Sequence, residues 1–148
     1  MNIPTVNPER TFLEKIFLLH EEFQRPAEKR RVDRLSRHIY DVVKLSKTEL
    51  AEKALGNHEL YETIVVYRQK FTRVGGVDYN LHQPQTINPL PAPEAMEAWK
   101  KDYNTMLEQM IYEDNPPSFE QLMEDMNTLK YKINNLPWEF GLKFPHQN

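Results

Sequence analysis

The chain contains no cysteine and only four glycines. Without cysteine there is no disulfide frame and no thiolate metal site, which fits a reducing, cytoplasmic setting. The glycines form no phosphate-cradling loop, because Gly75-Gly76 lacks the strand before it and the helix after it that such a loop needs. There is no His-Glu-x-x-His zinc motif and no Asp-x-Asp pair, so no metal-ligand set is legible. No apolar run approaches the length of a membrane span. Met1-Asn2-Ile3-Pro4 lacks the basic-then-apolar order of a secretory leader, so none is expected.

What remains is 148 residues, enough for one domain with one core. Seven Phe, seven Tyr and two Trp argue against disorder. The net charge of −3 is unevenly placed. From Lys29 to Lys47, seven Lys/Arg stand against two Asp; from Glu94 to Asp125, nine Asp/Glu stand against two Lys. The first segment suits phosphate and the second repels nucleic acid, unless both are simply solvated helix faces.

The periodicity predicts an all-α domain over residues 1–148. Five to six helices are expected: an N-terminal pair, a long Pro-rich arm and a C-terminal antiparallel hairpin. Thr11 and Glu14 have capping-box spacing at the first helix, which carries Phe12, Leu13, Ile16, Phe17, Leu19 and Phe23. A second helix runs from about Val32 to Leu45, burying Leu35, Ile39 and Val42. Ser46 and Glu49 repeat the capping box before a short helix that Gly56-Asn57 ends. A fourth helix carries Leu60, Ile64, Tyr67 and Phe71. From Val74 to Pro93 the proline density forbids a helix, and Tyr79, Leu81, Ile87 and Leu90 should anchor the arm on the helices.

Met96, Trp99, Tyr103, Met106 and Met110 then step at heptad spacing, as do Phe119, Leu122, Met126, Leu129 and Ile133. Ser118 is the expected N-cap of the last helix, and the two stripes are expected to meet each other. In the irregular tail after Leu136, Trp138, Phe140 and Phe144 either pack back or dock on another chain.

Few residues read as chemistry. His20 and His58 suit packing and a helix start, and His82 and His146 carry no readable role. On the second helix, Arg34, His38 and Asp41 share a face, and Arg37, Asp41 and Lys44 form an overlapping set. A carboxylate ringed by cations stays ionised and can accept a proton, while the cations suit phosphate oxygens. The same spacing also describes an exposed ion-pair lattice of little energetic weight.

Two segments carry a resemblance. Pro8-Glu9-Arg10-Thr11-Phe12-Leu13-Glu14-Lys15 runs into Leu19-His20, and after a basic loop comes Arg34-Leu35-Ser36-Arg37-His38-Ile39-Tyr40-Asp41. These resemble the C-terminal half of the AbiEii-type nucleotidyltransferase toxins of bacterial type IV toxin–antitoxin (abortive infection) systems. The likeness continues through Tyr67-Arg68-Gln69-Lys70-Phe71, Asp102-Tyr103, Pro117-Ser118-Phe119 and Asn134-Asn135, covering roughly residues 7–136. It implies catalytic roles for Lys15, toward nucleotide phosphates, and for Asp41, toward the acceptor. Arg34, Arg37 and His38 would bind substrate.

The family also needs a Gly-Ser nucleotide-binding motif and an Asp-x-Asp metal pair, both in a preceding α/β domain. Neither motif is in this sequence, and Leu13 stands where the family has Trp. The resemblance therefore implies half an enzyme, inactive alone, with no cofactor of its own. Mg²⁺ and NTP would enter only with an N-terminal nucleotidyltransferase domain on a separate chain. A cognate antitoxin and tRNA or another RNA are the further partners implied, with no membrane. The rival reading is a helical module that binds RNA or a protein.

Overall fold

A computed structural model describes residues 8–24, 36–71, 77–91, 93–109, 116–138 and 140–141. Six α-helices form the body: α1 (Pro8–Gln24), α2 (Ser36–Ser46), α3 (Glu49–Leu55), α4 (His58–Phe71), α5 (Met96–Gln109) and α6 (Phe119–Asn134). Single 3₁₀ turns occur at Tyr79–His82 and Pro93–Ala95. No strand occurs among the described residues, so the fold is all-α as the periodicity predicts.

Helix α1 is the centre, packing against α2, α3 and α4. That explains why its apolar residues spread around the helix: Phe12, Leu13, Ile16, Phe17 and Leu19 are all buried. Pro8 opens it, where a fixed φ and a missing N–H cost least, so the helix begins before Thr11. The expected capping box is therefore absent, and Glu14 instead accepts from Arg10 Nε one turn back at 3.1 Å. Ser46 is likewise no cap. It closes α2, its hydroxyl donating to the Val43 carbonyl at 2.6 Å. Gly56 ends α3 in ordinary right-handed backbone (φ −82°). Asn57 does the capping here, its Oδ1 accepting from Leu60 N at 3.0 Å as α4 starts.

Helix α4 buries Tyr61, Ile64 and Val65, whereas Tyr67 and Phe71 stay 46% and 70% exposed. The buried stripe is thus rotated about one residue from the expected one. Leu35, Met110 and Phe144 lie outside the described residues. Helices α5 and α6 touch where Tyr103 meets Phe119, their rings 6.0 Å apart, and the Tyr103 hydroxyl donates to the Pro117 carbonyl at 2.7 Å. Ser118 caps α6 as expected, accepting from Gln121 N at 3.1 Å. The two heptad stripes do not chiefly face each other. Helix α2 packs against both, and their buried residues close the core over it. Asp102 of α5 ties this joint, accepting from Ser36 N and Oγ at 3.1 and 2.5 Å at the start of α2.

The Pro-rich arm lies on the helices as expected, with Val77, Tyr79, His82 and Ile87 buried. Leu81 faces out instead. Asn134 Nδ2 donates to the carbonyls of Pro84 and Ile87 at 2.7 and 3.2 Å, pinning the arm to α6. Asn134→Ala should cost about 1–2 kcal/mol, since two partly buried carbonyls lose their donor. Urea unfolding checks this, and an unmoved midpoint would show that the apolar anchors alone hold the arm. The tail packs back on its own chain: Trp138 stacks on His58 at 4.2 Å and donates from Nε1 to the Leu55 carbonyl at 3.1 Å.

Candidate functional site

Lys15 and Asp41 are held by adjacent helices. Lys15 lies two turns into α1 and Asp41 midway along α2, and Leu19, Ile39 and Val42 fill the buried seam beside them. Helices α1 and α2 pack directly against each other, which sets the two charges at matching heights. Lys15 Nζ donates to Asp41 Oδ2 at 3.0 Å, so the two groups share one side of the domain as the hairpin geometry predicts. Arg37 Nε approaches the same oxygen at 3.9 Å. Lys44, one turn further along α2, sets its ammonium 5.4 Å from the Tyr40 ring centroid.

His38 is half-buried on α2, and Arg34 lies outside the described residues. The Lys15 and Asp41 side chains keep 23% and 28% of their surface, so solvent and ligands reach them. Shallow grooves along α4 (His58, Glu59, Glu62, Thr63, Val66) and α5 (Glu97, Lys100, Lys101, Asn104) include neither residue. Lys15 and Asp41 therefore lie on part-exposed surface outside both grooves.

Chemically, two cations flank a single carboxylate oxygen. Mg²⁺ takes near-octahedral oxygen ligands, and here the carboxylate is already engaged by an ammonium and a guanidinium that would repel it. Among the described residues no three His, Asp or Glu converge on a point that suits a metal.

A second charged cluster is buried and gave no sequence signal. Glu21 of α1 accepts from Arg68 of α4 through both oxygens, at 2.6 and 2.9 Å, and pairs with His82 Nε2 of the arm at 2.9 Å. His82 is fully buried and stacks on Tyr79 at 4.6 Å. His20 stands edge-on to His82 at 4.7 Å, and its Nδ1 accepts from Asn88 N at 2.9 Å. Gln24's amide meets His20 Nε2, and the Tyr61 hydroxyl donates to the His82 carbonyl.

Burial alone would raise the Glu21 carboxyl, but the hydrogen bonds from His82 and Arg68 outweigh it and hold it below the ordinary carboxylate value. Burial lowers His82, with Glu21 opposing only in part. His20 falls well below the ordinary value, first through burial and then through the neighbouring His82. The side-chain exposures of 2% for Glu21 and 0% for His82 close both groups to solvent. It fastens α1, α4 and the arm together.

No curated protein and no solved structure matches the chain. A family model described as nucleotidyl transferase AbiEii toxin, type IV toxin–antitoxin system, matches residues 1–125, a span that contains both Lys15 and Asp41. The chain thus belongs to the AbiEii nucleotidyl transferase toxin family.

Proposed function

We propose that this domain supplies the nucleotide-contacting wall of an AbiEii-type nucleotidyltransferase toxin. Lys15 and Arg37 meet the phosphates of an NTP. Asp41 orients or activates the hydroxyl of an RNA acceptor, tRNA being one candidate class, and Arg34 and His38 extend the substrate surface. The carboxylate pair that holds Mg²⁺ belongs to an α/β nucleotidyltransferase domain outside these 148 residues, since no Asp-x-Asp occurs within them. Alone, the domain transfers nothing, because phosphoryl transfer depends on metal-bound phosphates. A cognate antitoxin is the protein partner proposed, and the cytoplasm the compartment. Among the described residues no helix is long and apolar enough to cross a membrane.

The observation that carries this reading is the accessible ion pair between Lys15 and Asp41 at 3.0 Å, formed by two residues 26 positions apart. A solvated lattice along one helix does not require a partner from another. The test incubates the chain with labelled NTPs, Mg²⁺ and bulk tRNA. No protein-dependent labelling is expected. Labelling that Lys15→Ala abolishes would overturn the proposed dependence on a further domain.

A further inference from the structure

We infer that Asp41 is an internal competitor for phosphate, holding Lys15 and Arg37 where a polyphosphate's oxygens would hold them. The inference rests on the proposed function and adds a control step to the same site. Carboxylate and phosphoryl oxygens offer ammonium and guanidinium groups the same charge-assisted hydrogen bond. One carboxylate oxygen, Oδ2, receives Lys15 at 3.0 Å and lies 3.9 Å from Arg37. An anion drawn between the two cations competes with Asp41 for that place.

Exchange is feasible because the pair is part-exposed, and pairs in that setting are weak. The Glu21–Arg68 bridge shows the contrast: with exposures of 2% and 13% it is closed to a competing anion. Polyphosphate entry then has a second effect. It draws the cations away from Asp41 and frees that carboxylate to meet the acceptor hydroxyl. No atom is transferred in this step; one anion replaces another on two cations.

The inference reverses the sign expected for an ordinary binding residue. Calorimetric titration of the full chain with inorganic tripolyphosphate at low ionic strength measures it. Lys15→Ala and Arg37→Ala should each weaken binding, whereas Asp41→Asn should strengthen it by about two- to fivefold, the scale of a part-exposed pair. In a Lys15→Ala background the gain from Asp41→Asn should shrink, because the competition runs through Lys15. Circular dichroism on each variant shows that the fold is retained, and Asp41→Ala repeats the test with a second side chain.

If Asp41→Asn binds no tighter while Lys15→Ala still binds less, Asp41 only positions the cations, and the inference falls while the proposed function stands. A gain that persists in full without Lys15 reflects distant charge and also overturns it. Affinity insensitive to both Lys15→Ala and Arg37→Ala would remove the phosphate-binding reading and the inference together.

Discussion

Replacing Glu21 with alanine is expected to destabilise the domain by about 3–5 kcal/mol, the cost of breaking a buried ion pair from one side. Arg68 would keep its charge with only 13% of its side chain exposed, and His82 would lose its partner with none exposed. Water does not reach either group well enough to replace the carboxylate. Because His82 sits in the arm and Arg68 in α4, the loss also loosens α1 from both. Urea unfolding followed by tryptophan fluorescence measures the change. Adding Arg68→Met to Glu21→Ala should recover part of the loss, since it removes the stranded guanidinium. A midpoint within a few tenths of a kcal/mol of the parent would mean that water already stabilises Arg68, and that the cluster fastens little.

That cluster could not be read from the sequence, and the reason is physical. Glu21 and Arg68 are separated by 47 positions, and Glu21 and His82 by 61. No local period links them, and His82 closes a single 3₁₀ turn, Tyr79–His82, too short to carry a period. Arg68 also explains the misplaced stripe of α4. It continues the inward face after Tyr61, Ile64 and Val65 with a part-buried side chain, and an arginine reads as polar in any apolar count. Tyr67 and Phe71 look like the continuation of the stripe but face outward.

Other elements were legible because one local rule decides them. The apolar run of α1, the serine cap at Ser118 and the proline-dense arm each follow from neighbours a few residues apart. Cap positions at Thr11 and Ser46 misled, because the capping-box spacing does not say where a helix begins. Pro8 starts α1 earlier, and Ser46 bonds backward to Val43. The distribution of helix contacts was hidden as well. The stripes of α5 and α6 resemble two halves of one seam, yet α2 takes a share of both. Lys15 and Asp41 were reachable because the family resemblance singles out both, and the packing of α1 on α2 brings them together.

The domain should also lose stability sharply on mild acidification, because His20 and His82 are buried in their neutral form. Both have folded-state values below the ordinary 6.5, His20 by more. The unfolded chain therefore binds protons first as pH falls. Stability is complete above about pH 6.5 and declines below it until the folded values are reached. Each histidine contributes a slope of up to about 1.4 kcal/mol per pH unit. His82 contributes less of the window, because Glu21 pulls its value back toward normal. Together they should lower stability measurably between pH 7 and pH 5, His20 more than His82. Glu21 has a lowered value, so its contribution is lost only at more acid pH, below about 4.5. Arg68 stays charged throughout and repels a protonated His82, which deepens the effect. His20→Gln keeps a hydrogen-bond acceptor within reach of Asn88 N but cannot take up a proton in this range. That variant should flatten the slope by about one proton. Urea midpoints of the parent that are unchanged between pH 7 and pH 5 would show that neither imidazole is held neutral in the folded state.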